Sequence, residues 1–128
     1  MRRMLGIAVC LLAAPGWANG PWEVVLETPA EVVAVDRSSL RRDTHRVSFR
    51  ERRSLRGGQL DAYSQRPLRE VLVKRVIDCR TRRIATLSNA VFSNDDALVE
   101  HRAVHLSDAV WKSVRQDDPV FRQVCGGS

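Results

Sequence analysis

The chain has 128 residues, with 21 basic and 15 acidic side chains, a formal net charge of +6 and only 5% aromatic residues. This length suits one domain with a modest core. The scarcity of aromatic side chains argues against a nucleic-acid surface that works by base stacking. No apolar run approaches the roughly 20 residues that a membrane-spanning helix needs, so we expect no transmembrane span.

The N-terminus has the three parts of an export signal. A basic head at Arg2 and Arg3 precedes an apolar run over residues 5–14, and small residues stand at the cleavage positions. We therefore expect residues 1–18 to be removed as a signal peptide and residues 19–128 to form a single domain. Loss of the two arginines lowers the formal charge of +6 by two, to +4.

The cysteine count supports an oxidising compartment. Cys10 leaves with the signal peptide, so the mature sequence keeps one pair, Cys79 and Cys125. Unpaired thiols are unusual in exported proteins, which predicts a disulfide between these two residues. The alternative is a pair of buried free thiols.

The mature sequence begins with a predicted β-hairpin. Residues 22–27 alternate so that Trp22, Val24 and Leu26 share one face, and residues 32–35 form the return strand after a proline-containing break. Period-two alternation is typical of strands with one covered face.

A further strand and a basic loop follow the hairpin. Residues 46–50 alternate with Val47 and Phe49 directed inward. The next stretch, residues 52–61, is basic and contains a pair of glycines, which predicts a mobile loop.

Three longer strands are predicted next. They cover residues 71–79, 84–92 and 98–104, and a Ser-Asn-Asp-Asp turn connects the last two. The alternation of the first of them is interrupted at Lys74 and Arg75, which indicates a bulge or two partly covered faces.

The C-terminal segment has the features of a short helix. Asp118 is a typical N-cap, Pro119 suits the first helical position, and apolar residues recur at helical spacing up to Cys125. The predicted fold is α+β and mainly β. An antiparallel sheet of about six strands carries the C-terminal helix on one face, held there by the disulfide.

Catalytic and metal-binding patterns are weak. His101 and His105 have the spacing of two metal ligands on a helix, but on a strand they would lie about 13 Å apart, so we expect exposed histidines rather than a metal site. No nucleophile motif or phosphate-binding glycine loop is present. The sequence predicts a protein that is not an enzyme and has no cofactor and no metal.

Arginine side chains form the main candidate binding feature. Their planar groups suit carboxylates, sulfates and phosphates, so acidic glycans, lipid head groups and acidic proteins are the candidate partners. An ordinary solvated surface is the favoured interpretation of these charges. The candidate residues fall into two groups along the chain, namely Arg50, Arg52, Arg53 and Arg56, then Arg80, Arg82 and Arg83. The tryptophans Trp22 and Trp111 occupy periodic positions and are predicted to be in the core.

Several short motifs occur in an order that resembles the surface-adhesin protein E family of Gram-negative bacteria. The matching pieces are Trp22, Asp36 to Ser39, Val47 to Phe49, Asp78 with Cys79, Trp111, Pro119 and Cys125. The sequence departs from the family pattern at Ala34, where an aromatic is common, and at the acidic pair Asp117 and Asp118, where glycine and serine are expected.

The resemblance implies an antiparallel sheet with a helix tied to it by the cysteine pair. It also implies an exported binding module, since the family's namesake binds host extracellular-matrix and serum proteins. An adhesin at the outer cell surface is the first expectation. A periplasmic accessory protein that binds another envelope component, through sheet-edge pairing for example, is the alternative, and a homodimer remains open.

Overall fold

The structure is a computed structural model that describes residues 20–126, so the predicted signal peptide at 1–18 lies outside the described residues. This part of the chain forms eight strands and one α-helix, together with two short 3-10 turns at Arg37–Ser39 and Leu106–Asp108. The strands are β1 (Trp22–Glu27), β2 (Glu31–Asp36), β3 (Arg41–Asp43), β4 (Arg46–Leu55), β5 (Leu68–Asp78), β6 (Arg83–Ser93), β7 (Leu98–Ala103) and β8 (Lys112–Ser113), and the helix is α1 (Pro119–Cys125).

All eight strands belong to one antiparallel sheet. Its main path is β1-β2-β4-β5-β6-β7, while β3 pairs with the start of β4 and β8 with the start of β6. The predicted sheet of about six strands with a C-terminal helix is confirmed. The two additional strands have three residues and two residues, too few to show an alternating pattern.

The core lies between the sheet and α1. Alternation along β4 directs Val47 and Phe49 toward the helix, where they pack with Ile77 of β5 and with Val120 and Val124 of α1. We call this side of the sheet the helix face and the opposite side the outer face.

Local signals define the short helix. The Asp118 carboxylate accepts hydrogen bonds from the backbone N–H groups of Val120 and Phe121 at 2.9 and 3.1 Å, and Pro119 occupies the first turn. A helix of seven residues is too short to be stable alone. Core packing and the predicted disulfide hold it on the sheet, and that bond joins Cys79 to Cys125 with Cα atoms 5.6 Å apart.

The predicted mobile loop over residues 52–61 is wrong in its first part, because β4 continues to Leu55. The sequence did not indicate a strand here because charged residues, not apolar ones, occupy its covered face. Glu51 is fully buried at 0% exposure, and its carboxylate lies 2.7 Å from Arg53 Nε and 3.4 Å from an Arg75 nitrogen. Ion pairing allows this stretch to occupy a buried strand position that normally takes an apolar residue.

The prediction that Trp22, Val24 and Leu26 share one face of β1 is also wrong. A register shift between Val24 and Leu26 changes the phase of the strand, so these two side chains are 54% and 38% exposed while Val25 packs against the core. Neither Trp22 nor Trp111 belongs to the core cluster. Both are half-buried, and each ring lies beside an arginine on the outer face.

The irregularity predicted at Lys74 and Arg75 is present. Lys74 pairs with Ser88 and Arg75 with Thr86, so the extra residue, Leu87, belongs to β6. The side chains of β5 therefore keep a regular alternation, with Lys74 on the outer face and Arg75 on the helix face.

Candidate functional site

The first group of candidate arginines is divided between the two faces of the sheet. Arg50 and Arg52 lie on the outer face, whereas Arg53 lies on the helix face beside Glu51. Arg56 follows the end of β4. The four residues are adjacent in sequence and do not form one surface.

Carboxylate partners offset the positive charge of most arginines in this first group. Arg50 is hydrogen-bonded to the buried Asp36, and the nitrogens of Arg56 reach Glu27 at 3.1 Å. Arg53 binds Glu51 and also lies 3.4 Å from Glu31. These carboxylates raise the pKa of the Arg53 guanidinium against the opposing effect of burial, which is the largest single influence.

The second group lies at the turn between β5 and β6, and Arg83 is the first residue of β6. The Asp78 carboxylate accepts hydrogen bonds from the backbone N–H groups of Arg80 and Thr81, both at 3.0 Å, and the Arg82 N–H donates to the Asp78 carbonyl at 2.9 Å. The Thr81 N–H is the main reason that the pKa of the Asp78 carboxyl lies below its usual value, and it outweighs an opposing desolvation. The Asp78 side chain therefore holds the turn in this conformation.

Arg82 has an unusual backbone conformation within this turn. Its φ angle is +57°, in the left-handed region that residues with a Cβ rarely adopt. The conformation projects an exposed arginine at the tip of the turn, where glycine or asparagine would cost less. Thr44, Gln65 and Asp96 adopt the same region in other connecting segments, so the conformation is a feature of tight turns in this fold.

The disulfide and the helix bring one more arginine to this turn. Arg122 of α1 lines an open cavity of about 610 Å³ together with Arg82 and Arg115. Arg115 forms an ion pair with Asp117 at 2.9 Å, which lowers the pKa of that carboxyl. We call the exposed arginines Arg80, Arg82, Arg83 and Arg122 the turn-end cluster.

The turn-end cluster differs from the first group in its lack of carboxylate partners. Among the residues that the structure describes, none of its four guanidinium groups lies within 4.0 Å of a carboxylate. Arg80 instead contacts the His45 ring at 3.4 Å, and Arg83 donates to the Trp111 carbonyl at 3.3 Å. The four guanidinium groups therefore lack an ion-pair partner in the described part of the chain, although Arg122 is close enough to Asp117 to help lower the pKa of that carboxyl.

Sequence reasoning missed Arg122 as part of this surface. The signal was available, because a bond between Cys79 and Cys125 must bring the end of the helix next to the turn that follows Cys79. Arg122 lies three residues before Cys125 and is on the exposed side of the helix.

The histidines considered as metal ligands lie at the end of β7. His101 is within the strand and His105 precedes the 3-10 turn at Leu106–Asp108. Within residues 20–126, no group of three or more histidine, cysteine, aspartate or glutamate side chains is arranged to hold a metal ion. In the same range, no helix combines the length and the apolar character that crossing a membrane requires.

The sheet, the terminal helix and the disulfide agree with a known family. The sequence profile described as Surface-adhesin protein E matches residues 22–125. The chain belongs to this family. The match covers all eight strands and the helix, so the surface-adhesin protein E assignment applies to the whole of the described fold.

Solved structures of Haemophilus influenzae protein E share this fold. One aligns with a TM-score of 0.58 and 14% identity over 84% of this chain and 86% of that chain. Its crystal form II aligns with a TM-score of 0.60 and 14% identity over 84% and 89% of the two chains. No curated protein sequence matches significantly. At this identity the likeness to protein E concerns the fold and does not transfer a ligand.

Membership in the surface-adhesin protein E family indicates that the protein is an exported surface adhesin. The disulfide is consistent with an oxidising compartment.

Proposed function

We propose that this protein is a non-enzymatic adhesin of the outer cell surface that binds acidic host-matrix proteins or acidic glycans through the turn-end cluster. The observation that carries the proposal is the contrast between paired and unpaired arginines. Arg37, Arg56 and Arg69 each lie within 4.0 Å of a carboxylate, and no such partner is within reach of the turn-end cluster among the described residues.

The chemistry of the cluster favours oxyanions. A guanidinium is always charged at physiological pH and presents a planar set of donors that matches carboxylate and sulfate groups. Exposed charge of one sign attracts an acidic partner over a distance of roughly 10 Å at moderate ionic strength. Binding through such a surface is expected to weaken as salt is added.

A solid-phase assay with a charge-matched control tests this proposal. The turn-end variant carries R80Q, R82Q and R83Q, and the control carries R37Q, R56Q and R69Q, so that both lose three positive charges. Immobilised basement-membrane matrix and immobilised heparin serve as the targets. We expect the native protein and the control to bind in a salt-sensitive manner and the turn-end variant to bind about tenfold or more weakly.

Each other outcome contradicts part of the proposal. If both variants lost the same amount of binding, the net charge of the protein and not the turn-end cluster would be responsible for binding. Absence of salt-sensitive binding by the native protein would reject adhesion to acidic partners. Far-UV circular dichroism of all three proteins shows whether the folds are comparable.

A periplasmic accessory protein is the second candidate function, and the free edge of the sheet favours it. β7 ends the main path of the sheet, and its first residue, Leu98, is an exposed apolar residue, as are Val104 and Leu106 just after the strand. Such an edge can accept a strand from a partner. Proteolysis of intact cells separates the two functions, because a surface adhesin is cleaved by added protease whereas a periplasmic protein is cleaved only after the outer membrane is opened.

A further inference from the structure

The outer face of the sheet has a small depression that neither the core nor the turn-end cluster includes. Trp22, Arg50, Leu72 and Lys74 form its sides. The adjoining positions on β6 carry only small side chains, Ser88 and Ala90. The resulting cavity has a volume of about 170 Å³. This is below the roughly 300–1,000 Å³ of pockets that hold whole small molecules, so the depression can receive one chemical group of a larger ligand.

Two cations face each other across the strands at this depression. Arg50 of β4 is directly opposite Lys74 of β5, and Arg52 is the diagonal neighbour of that lysine. Side chains directly opposite one another have Cβ atoms about 5 Å apart, and like charges in that arrangement destabilise a sheet. A local arrangement that opposes folding is an indication of a binding role.

The charge in the depression is only partly compensated. Asp36 pairs with Arg50, and its fully buried carboxylate also accepts hydrogen bonds from the Ser38 N–H and hydroxyl groups. Among residues 20–126, neither Arg52 nor Lys74 lies within 4.0 Å of a carboxylate. The depression therefore keeps an excess of positive charge.

Trp22 fixes the two arginines in place. The guanidinium carbon of Arg52 is 4.6 Å from the centre of the Trp22 ring, and that of Arg50 is 5.6 Å away. Distances in this range give a favourable cation–π interaction. The stacking holds both guanidinium groups beside Trp22, which lines the depression, so they do not need to be ordered when a ligand arrives, and this lowers the entropic cost of binding.

We propose that this depression is a binding site for a tetrahedral oxyanion ester, a sulfate or phosphate group carried by a larger molecule. Lys74 and the guanidinium groups of Arg50 and Arg52 would donate charge-assisted hydrogen bonds to its oxygens. Trp22 is a positioning residue for the two arginines. The site does not depend on the adhesive role of the turn-end cluster, since it uses different side chains.

The lysines allow a direct test, because the chain contains only two, Lys74 and Lys112. Both are exposed, and Lys112 lies on β8, outside the depression. Reductive methylation with ¹³C-formaldehyde gives each lysine its own NMR signal on the full folded protein. The probes are glucose 6-sulfate, glucose 6-phosphate, inorganic sulfate and inorganic phosphate.

We expect the Lys74 signal to shift in a saturable manner with at least one of the two sugar esters, while the Lys112 signal does not. The K74Q variant should bind about tenfold more weakly in calorimetry, and the matched K112Q variant should bind as the native protein does. A phosphate ester gains its second negative charge near pH 6, so its affinity should rise from pH 5 to pH 7, whereas that of the sulfate ester should not.

Two results would overturn the proposal. One is an equal, unsaturated shift of both lysine signals, which reports ionic strength alone. The other is absence of any shift at Lys74 with all four probes. A W22F variant, which keeps an aromatic ring, should retain more affinity than W22L, and equal affinities of these two variants would remove Trp22 from the site.

Discussion

Removal of the disulfide is the perturbation whose effect can be estimated most directly. Cys79 follows the last residue of β5, and Cys125 is the last residue of α1, so the bond joins the sheet to the helix across the core. The double variant C79S/C125S removes the cross-link without leaving a free thiol. It also leaves Val120 and Val124 available for burial.

The expected loss follows from the length of the closed loop. The cysteines are 46 residues apart in sequence, and closing a loop of this length lowers the entropy of the unfolded chain by an amount worth about 4 kcal/mol at room temperature. The total free energy of unfolding of a domain this size is only about 5–15 kcal/mol. The loss should therefore be a large part of the free energy of unfolding.

Urea unfolding measures this loss. Tryptophan fluorescence reports the sheet and far-UV circular dichroism reports the whole fold, and the native protein in reducing buffer should behave like the variant. A decrease of about 4 kcal/mol with coincident transitions is expected. A decrease below about 1 kcal/mol would show that core packing alone holds the helix.

The remaining predictions concern buried charge, backbone strain and pH. Glu51→Ala should lower the free energy of unfolding by about 3 kcal/mol, measured in urea, because it leaves two arginines without their buried partner; no loss would contradict the ion-pair account. Arg82→Gly should be more stable than Arg82→Ala by about 1 kcal/mol in the same assay, since only glycine relieves the φ angle of +57°; equal stabilities would argue against strain. The third effect is acid sensitivity. Desolvation opposes the lowered pKa of Asp36, but hydrogen bonds from Ser38 and Arg50 outweigh it, and the Thr81 N–H lowers the pKa of Asp78. Both groups therefore bind protons more tightly when unfolded, so their contribution is complete above about pH 5 and is lost as the pH falls through the folded pKa values. Urea titrations from neutral pH downward should show this decline, and it should be smaller in D78N.

Much of the fold was predictable because most strands have one apolar face. Val47 and Phe49 alternate with polar residues and are 2% and 1% exposed. The helix was predictable from a local cap at Asp118 followed by proline, and the disulfide from the number of cysteines that remain after export. The strands and the helix depend on residues that are close in sequence, and the disulfide depends on export to an oxidising compartment.

The parts that were not predictable depend on contacts between distant residues. The second half of β4 looks like a basic loop because Glu51 and Arg53 face the covered side and neutralise each other there. The phase of β1 changes at an irregularity that its own sequence does not signal. The tryptophans looked like core residues, and the arginines beside them on the folded sheet explain why they are elsewhere.

The sequence predicted that arginines form the candidate site, but it did not predict which of them lie on one surface. Arginines from one stretch of sequence were separated by strand alternation and offset by acids, as in the pairs Arg50 with Asp36 and Arg56 with Glu27. Arg82 of the β5–β6 turn and Arg122 of α1 line one open cavity, next to the turn that Asp78 holds. Which cations keep their charge unpaired depends on tertiary structure, so sequence alone could not rank them.

Arginine footprinting tests the central claim most directly. The native protein is modified with an arginine-selective dicarbonyl reagent, free and bound to basement-membrane matrix, and the modified peptides are quantified by mass spectrometry. The account predicts that matrix protects Arg80, Arg82, Arg83 and Arg122, while Arg37 and Arg56 stay equally reactive. Protection of Arg37 and Arg56 with an unchanged turn-end cluster would contradict it.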